Sequence, residues 1–457
     1  MRKIFIGFIL LFIGVFPAKA GKTRIVLHSF SDRPESVTLS NGWVLPPAPL
    51  VSMQMQPRQT KECEVDIPDM RYYTLLYGGK QYVFFMDPGK DFELELHPAG
   101  KMMVKGAYAG LNNFLMKVQF EDTVAVQEGK KAFFGTTQLD NKRFDVYTGI
   151  YESQVVQLKN NHLPSGEEKL AMGCLQGMYL KNIYKLLSDS KIFGKTYKIT
   201  VAGDYARPLV KLKLVPELVY YPGWGDFLRE WMYTRMAAGK VQLKNLHFWI
   251  AEWAKSIPNP FLREHFVDYL TEREVVMKYF DSYTRERFES AKRLVKDPEI
   301  VKRLDERIAQ IPVQIDCPDA AECVFEDVQG EKVALGVFKG KYVFIDFWGL
   351  ACSPCIGELP YFHALAENFK GKKIEFISIA LERNRGNWKA FLQKRQLEGN
   401  QFIMPDLNRN PIWEKIGLSG IPRFVLVGPD SKVLIKSCYR PSNLVLGVQL
   451  QSFLQTK

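Results

Sequence analysis

The pattern of apolar and polar positions divides the chain into three parts. From about residue 21 to residue 106 the two types alternate, most clearly in Phe92–His97, where Phe, Leu and Leu are separated by Glu and His. A period of two predicts half-buried strands. The two glycines in Tyr77–Lys80 lie between strand-like runs and predict a hairpin turn. We therefore expect a small β-sandwich over residues 21–106.

The second part, residues 107–311, has mainly the helical period. Its clearest predicted helices are Glu167–Leu187 and Pro298–Gln310, and clusters of proline and glycine interrupt the pattern elsewhere. Trp249 and Trp253 are four residues apart and share one helix face. Core packing explains this spacing more simply than a peptide-binding groove does. The expectation is a mainly helical region.

In the third part, residues 312–457, predicted strands and helices alternate as in an α/β domain. The segment Tyr342–Phe347 is apolar except for Asp346, which is typical of a strand covered on both faces. Further strands are predicted at residues 374–380, 424–427 and 433–436, and helices at residues 352–369, 387–397 and 443–455. The expected fold class is a multidomain chain with a β-sandwich, a helical middle region and a C-terminal α/β domain.

The first twenty residues have the features of a secretory signal. Arg2 and Lys3 precede an apolar run from Ile4 to Phe16, and cleavage is predicted after Ala20. The run is shorter than the about 20 residues that a membrane-spanning helix requires. No cysteine stands near the predicted cleavage site to carry a lipid. We therefore expect an exported, periplasmic protein.

The net charge of the chain is +12, and it falls to +9 when Arg2, Lys3 and Lys19 are removed with the predicted signal. No block of lysine and arginine and no stripe of basic and aromatic residues is present in the sequence. Nucleic acid is therefore not an expected partner.

The strongest chemical signal is the pair Cys352 and Cys355, which stands between a predicted strand and a predicted helix. A helix that begins at Cys352 directs its free N–H groups and positive dipole end toward that sulfur, which favours the thiolate. Cys352 is the predicted nucleophile. Cys355 lies one turn later on the inner side of the helix and is the predicted resolving thiol. Such a pair works as a redox-active disulfide without a cofactor.

A zinc site is the alternative for a Cys-x-x-Cys pair, but it needs two further ligands, usually a second close pair. Cys317 and Cys323 have five residues between them, and the six histidines are scattered, so no metal is expected. Cys317 and Cys323 are close enough in sequence to form a structural disulfide or to remain two free thiols. The spacing leaves both possibilities open.

The residues around the pair resemble the thioredoxin superfamily, and in particular its exported TlpA and ResA branch. Asp346, six residues before Cys352, matches the buried acid that the superfamily places beneath its dithiol. Pro360 matches the proline of the active-site helix, and Glu358 matches a glutamate of the TlpA and ResA branch. The segment Gly420–Pro422 matches the cis-proline loop.

This resemblance implies a thioredoxin fold for residues 312–457 and protein-disulfide oxidoreductase activity, with the reductase direction favoured. Asp346 would accept the proton of Cys355, and Glu358 would tune its pKa, although an exposed helix-face acid is an alternative for Glu358. The residues implied in substrate binding are Trp348, Ile421 and Pro422. The implied partners are a protein or small-molecule disulfide and a membrane electron donor that reduces the oxidised pair again.

A second resemblance concerns the N-terminal part. Met86–Asp91, Gly106 and Leu111–Leu115 resemble the β-rich domain that precedes thioredoxin domains in exported proteins of Bacteroidetes. One departure from the superfamily pattern is Ala351, where tryptophan is usual. Alanine at this position does not change the chemistry of the two thiols. It is expected to affect the redox potential of the pair and the surface that contacts a partner.

The sequence leaves two other functions as alternatives. A thiol peroxidase usually has threonine or serine three residues before the reactive cysteine, and this chain has Gly349 there. A partner-binding protein with an accessory redox domain is the second alternative. The intact pair of cysteines, together with Asp346 and Pro422, favours an active oxidoreductase over both.

Overall fold

The structure is a computed structural model, and it describes residues 21–40, 49–67, 71–119, 141–193, 212–237, 246–277, 280–313, 316–404 and 410–455. The predicted signal segment, residues 1–20, lies outside the described residues. The chain divides into two structural units. The first holds the described residues of Met1–Ser190, Val201–Lys240 and Asn259–His265, and the second holds those of Lys191–Thr200, Val241–Pro258 and Phe266–Lys457.

Two four-stranded sheets form the β-rich part of the first unit. Their orders are β4-β1-β7-β8 and β3-β2-β5-β6. All neighbouring strands are antiparallel except β1 and β7, which are parallel. Apolar residues from both sheets share one core, which confirms the expected β-sandwich. The strands are β1 (Gly21–Ser29), β2 (Glu35–Ser40), β3 (Pro49–Met55), β4 (Thr60–Ile67), β5 (Arg71–Tyr77), β6 (Lys80–Met86), β7 (Phe92–His97) and β8 (Lys101–Gly106).

Local sequence explains the two strand features that were predicted. In Phe92–His97 the first, third and fifth residues are buried and the others are partly exposed, as the alternation requires. Gly78 and Gly79 join β5 to β6 with φ angles of +57° and +73°. Two consecutive positive φ angles are the geometry of a tight hairpin turn, and glycine adopts them without a Cβ clash.

A helix, α1 (residues 109–119), covers the open edge of β6. The Oδ1 atom of Asn112 accepts the N–H of Phe85 at 2.8 Å, and its Nδ2 donates to the Phe85 carbonyl at 3.0 Å. Two turns later, Gln119 makes the same pair of bonds with Val83, at 2.6 and 3.0 Å. The side-chain amides thus take the place of a neighbouring strand and satisfy backbone groups that would otherwise be unpaired.

A side-chain amide of α1 also pairs with the edge of β8. The N–H and carbonyl of Val104 bond to the amide of Asn113 at 2.7 and 2.8 Å. Asn112 and Asn113 are adjacent in sequence and therefore point to different sides of α1. One helix thus covers an edge of each sheet.

The remaining helices of the first unit pack closely. Gly173 and Gly177 are one turn apart on α3, and a Cβ at Gly177 would lie 2.1 Å from the ring of Tyr221. The small residues therefore allow the chain segment before Tyr221 to lie directly against the helix. The described helices here are α2 (Asn141–Asn160), α3 (Ser165–Phe193) and α4 (Trp224–Ala237), and α3 contains the predicted helix Glu167–Leu187.

The second unit contains helices as well as the α/β domain. Its helices before residue 312 are α5 (Trp249–Lys255), α6 (Pro260–Met277, from Phe266 onward), α7 (Thr284–Lys292) and α8 (Pro298–Gln310). Trp249 and Trp253 are 2% and 0% exposed, which confirms that they pack in the core. Buried Arg287 donates to Asp281 at 2.9 Å, and Asp281 also accepts from Gln449 at 3.2 Å. These helices and the C-terminal end of the domain therefore share buried polar contacts.

The α/β domain has a seven-stranded sheet of order β10-β9-β13-β12-β11-β14-β15. Strand β11, which leads to the cysteine pair, is parallel to β12 and antiparallel to β14, and the expected thioredoxin fold is confirmed. The strands are β9 (Val324–Glu326), β10 (Lys332–Ala334), β11 (Tyr342–Trp348), β12 (Ile374–Ala380), β13 (Asn400–Ile403), β14 (Arg423–Val427) and β15 (Val433–Ile435). The helices are α9 (Ser353–Asn368), α10 (Arg385–Arg395), α11 (Ile412–Lys415) and α12 (Leu444–Gln455). Across the described part of the chain, no helix is both long and apolar enough to cross a membrane.

Candidate redox site

The cysteine pair lies where β11 ends and α9 begins. Cys352 is the N-cap residue of α9, and its Sγ accepts the N–H of Cys355 at 3.2 Å. The two sulfurs form a disulfide. Cys352 is partly exposed, whereas Cys355 is 1% exposed and belongs to the core beneath the helix. An incoming thiol or disulfide therefore reaches Cys352 first, as the order of the two residues at the helix start predicts.

Asp346 lies inside the sheet, two residues before the end of β11, and is 1% exposed. It is paired in register with Ser378 of β12, whose hydroxyl donates to Oδ2 at 3.4 Å. Its Oδ1 atom is buried and has no hydrogen-bond partner among the described residues. Burial raises the pKa of Asp346 well above its ordinary value, and the nearby Glu358 carboxylate raises it further. The carboxyl group therefore holds a proton at a higher pH than an exposed aspartic acid does.

Glu358 lies one turn after Cys355 on α9 and is 6% exposed. Its carboxylate accepts the backbone N–H of Ser442 at 2.9 Å and the Ser442 hydroxyl at 2.8 Å. The alternative of an exposed helix-face acid is therefore wrong. The negative charge of Glu358 acts on buried Asp346 and disfavours its ionised form.

The loop before β14 lies over the end of β11. The Ile421–Pro422 peptide bond is cis, as expected. A Cβ at Gly349 would lie 3.1 Å from the Cδ1 atom of Ile421, so the two chain segments are in close contact. Ile421 is partly exposed and packs against the core on both sides of the sheet. Its role in substrate binding, like that of Pro422, stays a prediction.

The structure places Trp348 differently from the other predicted substrate residues. Its side chain is 0% exposed and packs in one cluster with Cys355 and Trp388. Its ring centroid is 5.4 Å from that of Phe391. A side chain without exposed surface has no access to substrate, so the geometry argues against direct contact by Trp348. Trp348 instead packs in the core cluster that contains Cys355.

Three polar residues of the site were not singled out for a role by the sequence. Ser378 bonds to Asp346, Ser442 bonds to Glu358, and Glu382 accepts the N–H of Leu350 at 2.9 Å. Ser378 leaves a signal, because it is a hydroxyl residue among the apolar residues at positions 376–380. Ser442 and Glu382 lie in loops, and their partners are 84 and 32 positions away in sequence, so local spacing does not reveal their contacts.

The other described cysteines of the second unit are not in a disulfide. Cys317 and Cys323 do not form a disulfide, and Cys323 is buried, which raises its pKa to about 11. Cys438 is also buried and free. Within the described ranges, no group of three or more His, Cys, Asp or Glu side chains is arranged to hold a metal ion.

Comparison with known proteins agrees with this geometry. A family model described as thioredoxin-like matches residues 340–433, which include the cysteine pair. The thiol-disulfide oxidoreductase ResA of Bacillus thuringiensis subsp. konkukian is 32% identical over 116 residues, which are 25% of this chain and 65% of the relative. ResA of Bacillus subtilis is 29% identical over 116 residues and is covered to 63%. The chain thus spans somewhat less than two thirds of these curated relatives.

Solved structures are similar to about a third of the chain. The thioredoxin domain of a thiol-disulfide oxidoreductase from Bacteroides vulgatus is 27% identical, with 31% of this chain and 99% of that chain covered and a TM-score of 0.28. A thiol:disulfide interchange protein from a Bacteroides species is 27% identical, with 31% and 90% covered and a TM-score of 0.28.

Fold, site and sequence similarity define a thioredoxin-like domain with a disulfide-forming pair at the start of a helix. Residues 340–433 of the chain match the thioredoxin-like family model, and a quarter of the chain is similar to thiol-disulfide oxidoreductases named ResA.

Proposed function

We propose that this protein is a periplasmic thiol-disulfide oxidoreductase that reduces disulfides of other molecules through Cys352 and Cys355. The observation that carries the proposal is the unequal exposure of the pair, with a partly exposed N-cap cysteine and a resolving cysteine that is 1% exposed. This arrangement allows attack on an external disulfide and then internal release.

The reaction takes place in two exchanges. The thiolate of Cys352 attacks one sulfur of the substrate disulfide, so that a mixed disulfide forms and the other substrate sulfur leaves as a thiolate. The thiolate of Cys355 then attacks the Cys352 sulfur, which forms the Cys352–Cys355 disulfide and releases the second substrate thiolate. Two electrons pass from the dithiol to the substrate, and the two released thiolates take up protons.

Asp346 is the proposed proton acceptor for the second exchange. Cys355 attacks only as a thiolate, and its buried position makes that charged form costly. The raised pKa of Asp346 allows its carboxylate to take the proton and return it later. The unpartnered Oδ1 atom leaves one acceptor available on the side chain.

The proposed substrates are proteins or small molecules that contain a disulfide, and a membrane-bound dithiol is the proposed electron donor for the oxidised pair. Ile421 and Pro422 would bind the substrate backbone, since the cis-proline loop lies over the end of β11. The signal-like first twenty residues support the periplasmic location.

Peroxidase activity is less well supported. The threonine or serine that a thiol peroxidase uses would replace Gly349, and a Cβ there would come within 3.1 Å of Ile421. The tight contact between these two chain segments therefore leaves little room for such a side chain.

Reduction of insulin by dithiothreitol, followed by turbidity, tests the proposal. We expect the full-length protein to accelerate the reaction and Cys352→Ser to lose the acceleration. Cys63→Ser, in the β-sandwich, is the control and should keep it. Equal rates for the protein and for Cys352→Ser would contradict the proposal. An equilibrium potential near −270 mV, at the thioredoxin end of the roughly −270 to −120 mV range, would indicate a reductase, and one near −120 mV an oxidase.

A further inference from the structure

The loop between β11 and α9 is held by a carboxylate from a different part of the chain. Glu382 follows β12 by two residues, and its Oε1 atom accepts the N–H of Leu350 at 2.9 Å. Leu350 precedes the nucleophile Cys352 by two residues. A hydrogen bond from an amide to a carboxylate is among the stronger hydrogen bonds in proteins. Glu382 is therefore in a position to fix the backbone that leads to the nucleophile.

The surroundings of Gly349 show how closely this loop is confined. A Cβ at Gly349 would lie 3.1 Å from Ile421 on one side and 3.7 Å from Oε1 of Glu382 on the other. The residue before Glu382, Leu381, donates its N–H to the carbonyl of Trp348 at 2.8 Å. The segment that carries Glu382 is thus joined to the end of β11, and the carboxylate has a defined place beside the loop.

The charge of Glu382 is not neutralised by a neighbouring cation in the described part of the structure. Arg385, three residues later, makes two bonds to Glu326 instead, at 2.6 and 2.7 Å. The Cα atoms of Leu350 and Cys352 are at most about 7.6 Å apart, since each peptide unit spans about 3.8 Å. The Glu382 carboxylate is thus bonded to the backbone two residues before the sulfur that becomes a thiolate.

This charge affects the two redox states differently. In the reduced protein it repels the Cys352 thiolate. In the oxidised protein the sulfurs are neutral, so there is nothing to repel. A negative charge that destabilises the reduced form makes a disulfide pair a stronger reductant.

We propose that Glu382 is a positioning residue of this dithiol, which holds the loop before Cys352 through the Leu350 N–H and makes the pair more reducing by its charge. The inference rests on the proposed function, because it concerns the direction in which the same two cysteines work. According to this proposal, a residue in a loop contributes to the low redox potential that favours reduction of substrates.

The experiment is redox equilibration of the full-length protein with reduced and oxidised dithiothreitol. Dithiothreitol gives two electrons to the protein disulfide and becomes a disulfide itself; one of its two thiol protons goes to Cys355, and the other goes to solvent when Cys352 is a thiolate. Glu382→Gln keeps an oxygen that accepts the Leu350 N–H but removes the charge. We expect its equilibrium constant to shift toward the reduced protein by about threefold to tenfold, the effect of one charge at this range. An unchanged constant, or a shift toward the oxidised protein, would overturn the charge effect.

Glu375→Gln is the matched control, because Glu375 lies at the other end of β12 and pairs with Lys341 at 2.5 Å. Its equilibrium constant should equal that of the unmodified protein. Glu382→Ala removes both the charge and the acceptor. We expect the same shift in the constant, together with slower insulin reduction than Glu382→Gln, and equal rates for these two variants would overturn the positioning role.

The dithiothreitol equilibrium needs no physiological substrate. If the unmodified protein failed to reduce insulin, the proposed function would fail while the constants for Glu382→Gln and Glu375→Gln would still decide the role of the charge.

Discussion

The β-sandwich and the redox domain use their buried polar side chains in opposite ways. In the sandwich, Asn112 is 0% exposed and Gln119 is 7% exposed, and each amide donates to a backbone carbonyl and accepts from an N–H. In the redox domain, Asp346 is equally buried but accepts one long hydrogen bond of 3.4 Å through Oδ2. Its Oδ1 atom has no partner in the described part of the structure.

This difference separates a structural use of a buried polar group from a chemical one. A side chain whose donors and acceptors are all occupied stabilises the fold and has nothing left to exchange. A buried carboxyl with an open acceptor costs free energy, and it keeps a site to which a proton can be transferred. We infer that the incomplete hydrogen bonding of Asp346 serves proton transfer at the redox site.

The largest effect is expected at the dithiol itself. Cys355→Ser leaves Cys352 able to attack but removes the resolving thiol, so turnover in the insulin assay should fall by roughly a thousandfold or more, consistent with loss of an essential nucleophile. Mixed disulfides with partner proteins should accumulate and be visible on a non-reducing gel. Absence of adducts that also require Cys352 would contradict the assignment of the two thiols.

The next largest effect is expected in the sandwich. Asn112→Ala leaves the buried N–H and carbonyl of Phe85 without partners and should lower the free energy of unfolding by about 2–4 kcal/mol. Asn113→Ala is the matched control, because Asn113 makes the same bonds to Val104 but is partly exposed, so water can replace it. Chemical denaturation measures both variants. Equal losses would show that burial of the amide does not decide its contribution.

Asp346→Asn should have opposite effects on stability and turnover. The pKa of Asp346 is raised in the folded protein, so stability is lost as pH rises from the unfolded pKa, about 3.9, through the folded value. The variant avoids this loss and should gain about 1–3 kcal/mol in the oxidised state above that window and nothing below pH 4. Insulin reduction should fall by roughly tenfold to a hundredfold.

Unfolding by urea at pH 4 and at pH 8 checks the Asp346→Asn gain. An equal gain at both pH values would mean that the ionised carboxylate is not its source. Unimpaired insulin reduction by this variant would show that Asp346 is not the proton acceptor for Cys355.

The smallest effect is expected from Ser378→Ala. Its hydroxyl lowers the pKa of Asp346 slightly, through a single long bond. Its loss should move the low-pH limb of the insulin-reduction profile upward by a few tenths of a unit and change stability by about 0.5 kcal/mol. A downward movement of that limb would show that Ser378 does not favour the carboxylate.

The local pattern of apolar and polar residues was sufficient to predict the bounds of several single helices and strands. The strand over residues 374–380 and the helix Pro298–Gln310 have the predicted bounds, because period and end signals lie within a few residues. The helix predicted at residues 387–397 begins two residues earlier, at Arg385, because Asn384 caps it by accepting the N–H of Asn387. Strands β9 and β10 have three residues each, too few to establish a period.

Residues of the candidate site were predictable where they stand at a fixed spacing from the cysteine pair. Residues that reach the site only through tertiary contacts were not predictable. Asp346 and Glu358 stand near the pair in sequence. The contact between Glu382 and Leu350 joins residues 32 positions apart. The burial of Trp348 also depends on Trp388 and Phe391 of α10, which pack against it from a later helix. Sequence spacing alone carries no information on either.

The side-chain amides of α1 have a consequence for the order in which the first unit folds. Until α1 docks, β6 and β8 present rows of free N–H and carbonyl groups that a strand from another molecule can pair with. Intermolecular pairing depends on concentration, and docking of a helix in the same chain does not. Refolding yield should therefore fall as protein concentration rises, and the fall should be steeper for Asn112→Ala, in which the competing intramolecular partner is lost.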